Sequence, residues 1–79
     1  MKEILEGIIR ELVDNKDAVR VDEIQDPSAF IFEINVAQED VGKVIGKSGR
    51  TANAIRTLVN AMARKHGRGA KVRFNDGKA

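Results

Sequence analysis

The sequence has no cysteine, no tryptophan and no tyrosine, and only one proline and one histidine. Without cysteine there is neither a disulfide framework nor a thiolate-bound zinc. With His66 as the single histidine, a histidine-cluster metal site is excluded as well. An aromatic content of 4% leaves too few rings for a single-strand binder built on base stacking. No apolar run approaches the ~20 residues that a membrane-spanning helix needs. Glu3 and Glu6 interrupt the first apolar positions, so the start does not resemble a secretory signal, and the expected location is cytoplasmic. One further absence is local: no acidic residue occurs between Val41 and Asn75.

What is present is 79 residues, enough for one domain with a modest core. The hydrophobic share of 42% beside a charged share of 33% describes a folding domain and not a disordered tail. The net charge of +2 conceals an asymmetry. Met1–Asp40 holds eleven acids against four bases, whereas Val41–Asn75 holds nine bases and no acid. Such a division points to a polyanionic partner for the second half, or to charges that pair across the two halves on folding.

Ile4, Leu5, Ile8, Ile9, Leu12 and Val13 recur at helical spacing and predict an amphipathic helix over Met1–Asn15. Ala18–Asp26 reads as a strand through the alternation of Val19 and Val21. Its phase slips at Ile24, where a bulge is expected. Asp26-Pro27-Ser28 is a turn, and Ala29–Ala37 is a second strand with Phe30, Phe32, Ile34 and Val36 on one face. Its phenylalanines read as core. Gln38–Ile45 predicts a short helix whose first turn suits Glu39 and Asp40. Arg50–His66 predicts the longest helix, buried through Ile55, Leu58, Val59, Met62 and Ala63 and stopped by Gly67 and Gly69. Ala70–Asn75 is a last strand, ended by Asp76-Gly77. The order helix-strand-strand-helix-helix-strand gives an antiparallel hairpin, then a crossover that sets the second and third strands parallel. The fold class is a two-layer α+β domain: a three-stranded mixed sheet covered on one face by three helices. Residues 1–76 form the single domain and 77–79 a short polar tail.

Between the two later helices lies Gly46-Lys47-Ser48-Gly49. A nucleotide-hydrolysing phosphate loop would need glycine five residues before Gly46, where Val41 stands, and would follow a strand. A G-x-x-G turn between helices suits a different ligand. It brings bare backbone to a sugar-phosphate chain, the next helix offers its N-terminal amides, and Lys43, Lys47, Arg50 and Arg56 add charge. Apolar neighbours can take the bases and a sheet edge can read them. Arg64, Lys65 and Arg68 either extend this track or complement the acidic half, and Lys71 and Arg73 are assigned to the second role. His66 reads as a helix-end residue, since no nucleophile or metal set accompanies it. No acid-base pair, metal cluster or nucleophile motif argues for an enzyme, and no cofactor is expected.

Val44-Ile45-Gly46-Lys47-Ser48-Gly49 resembles the signature of the KH domain family of RNA-binding modules. The element order is similar to its type II arrangement, and the whole chain resembles the small stand-alone bacterial KH proteins. Ala52 departs from the pattern, which usually has isoleucine there. The resemblance implies that the loop clamps about four nucleotides of single-stranded RNA by their backbone. It implies backbone contact at Gly46, Lys47, Ser48, Gly49 and Arg50, with Val44 and Ile45 on the groove and Lys43 beside it. It implies a post-transcriptional regulator or RNA chaperone that works as a homodimer or with a second KH-containing protein. Two alternatives stand beside it: a protein-interaction module with incidental RNA binding, and a binder of single-stranded DNA.

Overall fold

The computed structural model describes residues 1–75, so the turn at Asp76-Gly77 and the tail 77–79 lie outside the described residues. The helices are α1 (Lys2–Leu12), α2 (Val41–Ile45) and α3 (Arg50–Arg64), and the strands are β1 (Arg20–Asp26), β2 (Ala29–Asn35) and β3 (Gly69–Phe74). They follow in the expected order. β2 is central, antiparallel to β1 and parallel to β3.

The core fills the space between the sheet and the helices. Phe32, Ile34 and Val21 point into it from the strands, Leu5 and Ile9 from α1, Val44 from α2 and Val59 from α3. Each such side chain, fully withdrawn from water, contributes about 1.5–3 kcal/mol. The apolar stripes are wider than the surfaces that bury them. Ile4 is 55% exposed, and Leu58, expected on the buried face of α3, is 43% exposed. The reason is rotational. Asn60 ties one flank of α3 to β3, and Leu58 lies about 200° round the helix from it, while Ala52 takes the inward position.

Several boundaries differ from the sequence reading by one to three residues, and three of the differences have a local cause. α1 ends at Leu12 because Val13 turns extended to bury its side chain. Lys16 then folds back, its ammonium donating to the carbonyls of Arg10 (2.8 Å) and Val13 (3.0 Å), which would otherwise lack partners. β3 ends at Phe74, and Asn75 extends the ladder with its side chain. Its Oδ1 accepts from the Val36 amide at 3.0 Å, and its Nδ2 donates to the Val36 carbonyl at 2.9 Å. The bulge expected at Ile24 is absent. Pairing from Arg20↔Asn35 to Asp26↔Ala29 is continuous, and Ile24 sits opposite Ile31 on the face of the sheet away from the helices. The two residues that break the apolar alternation are thus partners of each other.

Candidate nucleic-acid interface

α2 stops at Gly46, whose amide still donates to the Gly42 carbonyl at 2.9 Å while its own backbone turns to φ 79°, ψ 170°. That conformation belongs almost solely to glycine. A Cβ there would also overlap the Thr51 hydroxyl and come within 2.9 Å of the Thr51 amide nitrogen. Lys47–Gly49 make one 3-10 turn closed by the Gly49 amide on the Gly46 carbonyl at 3.1 Å. Ser48 (φ 58°) and Gly49 (φ 76°) are both left-handed. A Cβ on Gly49 would meet nothing within 4 Å. The two glycines therefore act differently: Gly46 lets α3 pack close beneath the turn, and Gly49 leaves the outer surface bare.

Gly49 caps α3 without a side-chain hydrogen bond, and the Arg50 amide donates back to the Lys47 carbonyl, so the 3-10 turn runs straight into the positive end of the helix. Lys47, Ser48 and Arg50 are exposed around this junction. Neither Lys47 nor Arg50 has a carboxylate partner among the described residues. Gly46, Lys47, Ser48, Gly49 and Arg50 thus form one continuous outer turn.

Two residues expected at this surface are placed elsewhere. Val44 is fully buried and supports α2 from below, which leaves Ile45, half-buried, as the apolar residue next to the turn. Lys43 is held from behind. Its ammonium lies 3.1 Å from the Asp40 carboxylate and 3.4 Å from that of Asp14. Asp40, read from the sequence as a first-turn acid, faces inward. It has no exposed surface and accepts the backbone amides of Asn15 (3.0 Å) and Asp14 (3.3 Å). The Asn15 amide holds its carboxyl below the ordinary range, with Lys43 and the Asp14 amide acting the same way and burial opposing them. The hydrogen bond to Asp40, then that to Asp14, raises Lys43. This buried carboxylate fastens the connection after α1 to the start of α2.

β3 leaves one edge of the sheet open beside α3. The Ala70 amide donates to Asn60 Oδ1 at 3.2 Å, so Ala70 points away from β2, while the Asn75 amide donates inward to Ile34. Because strand residues alternate sides, the backbone groups of Val72 and Phe74 also face the open edge. The Arg56 guanidinium carbon lies 5.3 Å from the Phe74 ring centroid, which fixes a cation over the edge nearest the turn. Thr51, Asn60 and the Arg56–Phe74 contact went unread in the sequence. Thr51 and Asn60 are ordinary helix residues by pattern, and the Arg56–Phe74 pair spans the rest of α3 and the whole of β3.

The α+β order, with a G-x-x-G turn joining α2 to α3 beside an open parallel edge, defines the KH class of fold. The chain belongs to the family described as KhpA/KhpB, KH domain, which matches residues 2–74. It is similar to the RNA-binding protein KhpA of Caldanaerobacter subterraneus, 57% identical over 82% of this chain and 87% of that protein. The proteins of the same name from Chlamydia pneumoniae and Aquifex aeolicus are each 48% identical, over 84% and 86% of this chain and 85% and 86% of theirs. These relatives carry the name of an RNA-binding protein and not of an enzyme. No solved structure matches the chain.

Proposed function

We propose that this protein binds single-stranded RNA without catalysis, as a cytoplasmic type II KH module that serves as a post-transcriptional regulator or RNA chaperone. The observation that supports this best is the turn itself: bare backbone at Gly49 and the exposed cations Lys47 and Arg50, which have no carboxylate partner among the described residues. Gly46, Lys47, Ser48, Gly49 and Arg50 grip the phosphates of about four nucleotides. Ile45 lines the groove for the bases, and the β3 edge at Val72 and Phe74 offers backbone donors and acceptors to read them. Lys43 acts from behind, through α2. The names of the relatives support RNA as the polymer. The exposed Ile4 and Leu58 supply apolar surface for a homodimer or for pairing with a second KH-containing protein. One module binds weakly, so such pairing raises affinity through a second attached site.

The test is the double variant Lys47→Asp, Ser48→Asp, titrated with single-stranded RNA and with DNA of the same sequence. Binding is expected to fall by at least about a hundredfold (~2.7 kcal/mol), since two acids replace the loop's contacts. The melting temperature is expected to stay within a few degrees, because both side chains are exposed. Unchanged affinity would remove the loop from the binding site. Equal affinity for DNA would replace RNA by single-stranded nucleic acid in general.

A further inference from the structure

Most cations of the second half do not fold back on the acidic half among the described residues. Among the described residues, only Lys43 and Arg73 of that segment make ion pairs, with Asp14, Asp40 and Glu33. Among the described residues Arg56 and Arg64 have no carboxylate within reach, and they do not stand alone. With Asn53, Thr57 and Asn60 they recur every three or four residues along one flank of α3 and line a shallow concavity of about 420 Å³. Two of its members are fixed in place, Arg56 over the Phe74 ring and Asn60 on the Ala70 amide. The row starts one turn beyond Arg50 and runs away from the glycine turn. At its far end the chain leaves α3 through Gly67, and the guanidinium carbon of Arg68 lies 4.9 Å from the Phe30 ring centroid.

We propose that this flank of α3 is a second contact track, along which the RNA strand continues after it leaves the glycine turn. The inference rests on the RNA-binding reading above and concerns how far the strand is held. Asn53 to Arg64 spans ~17 Å at ~1.5 Å per residue. A stacked strand carries a phosphate every ~3.4 Å, so the flank accommodates about five nucleotides beyond the four at the turn. Guanidinium groups match phosphate oxygens in pairs, and the asparagines hold the row in place: Asn60 accepts from the Ala70 amide and donates to the Arg56 carbonyl, and Asn53 Oδ1 accepts from the Arg56 guanidinium. A protein partner fits this surface poorly. Its lining is polar apart from Ala61, and protein interfaces are centred on apolar side chains.

The test compares oligouridylates of about four and about twelve nucleotides on the wild-type protein, on Arg64→Glu and on Lys71→Glu. Lys71 alternates with the inward Ala70 and Val72 and is exposed on the opposite face of the sheet. Its reversal changes net charge equally, away from the track. Arg64→Glu is expected to weaken the long oligomer roughly fivefold and to make its salt dependence shallower by about 0.7, the share of one phosphate. The short oligomer should bind as it does to wild type, and Lys71→Glu should change neither selectively. Equal weakening of both lengths by Arg64→Glu, or the same effect from Lys71→Glu, overturns the track and leaves the loop in place. Wild-type protein that binds neither oligomer overturns the RNA reading and the track together.

Discussion

The two halves of the chain handle charge in opposite ways. Met1–Asp40, with its eleven acids, supplies α1, the β1–β2 hairpin and one carboxylate with no exposed surface. That carboxylate, Asp40, works inward: it holds two backbone amides and Lys43 and so anchors α2. Val41–Asn75, with its nine bases, supplies the glycine turn, α3 and β3. Among the described residues it returns only Lys43 and Arg73 to the acidic half. Folding therefore does not cancel the asymmetry. It uses three ion pairs, made by two cations, to join the halves and leaves the remaining cations around the turn, along α3 and on the far side of the sheet. The lesson is that a net charge of +2 says little about a surface whose charges are sorted by segment.

The largest effect is expected at Gly46. Gly46→Ala forces a side chain into the Thr51 hydroxyl at a backbone conformation reserved for glycine. A loss of about 3 kcal/mol in stability is expected, the sum of strain and overpacking, and RNA binding should go with it. Gly49→Ala meets open space and suffers only its left-handed backbone, about 1 kcal/mol. Chemical denaturation of the two variants measures the difference. Equal losses would mean that Thr51 does not define the turn.

A smaller effect is expected where the halves are joined. Asp40→Asn keeps one acceptor for the Asn15 amide but removes the charge that holds Lys43. The melting temperature at pH 7 is expected to drop by about 5 °C. The pH dependence has a definite sign. The folded carboxyl is lowered, so its contribution is present above the ordinary value near ~3.9 and is lost as pH falls through the folded one. The gap between wild type and variant should thus be constant from about pH 5 upward and close below about pH 4. A gap that persists in acid would assign the effect to packing and not to charge.

Much of this was legible in the sequence. The apolar periods of Leu5–Ile9 and of Phe30–Phe32–Ile34 fix which faces are buried, and the glycines mark the turn between helices. Two long-range facts were not legible. Ile24 reads as a bulge until Ile31 is known to lie across from it, because a cross-strand pair has no signature within one strand. Asp40 reads as a helix-start acid until the connection after α1 is seen to turn its amides onto it. Val44 and Ile45 illustrate a finer limit. Adjacent residues on a short helix diverge by about 100°, and only the packing decides which one faces the core.

The most direct test follows backbone amide signals of the isotopically labelled protein while a short single-stranded RNA is added. Shifts concentrated on Ile45–Thr51, the exposed flank of α3 and the edge of β3, with little change in α1 and β1, are the predicted result. Shifts centred on the acidic half, or on the open face of the sheet around Ile24 and Ile31, would contradict the account.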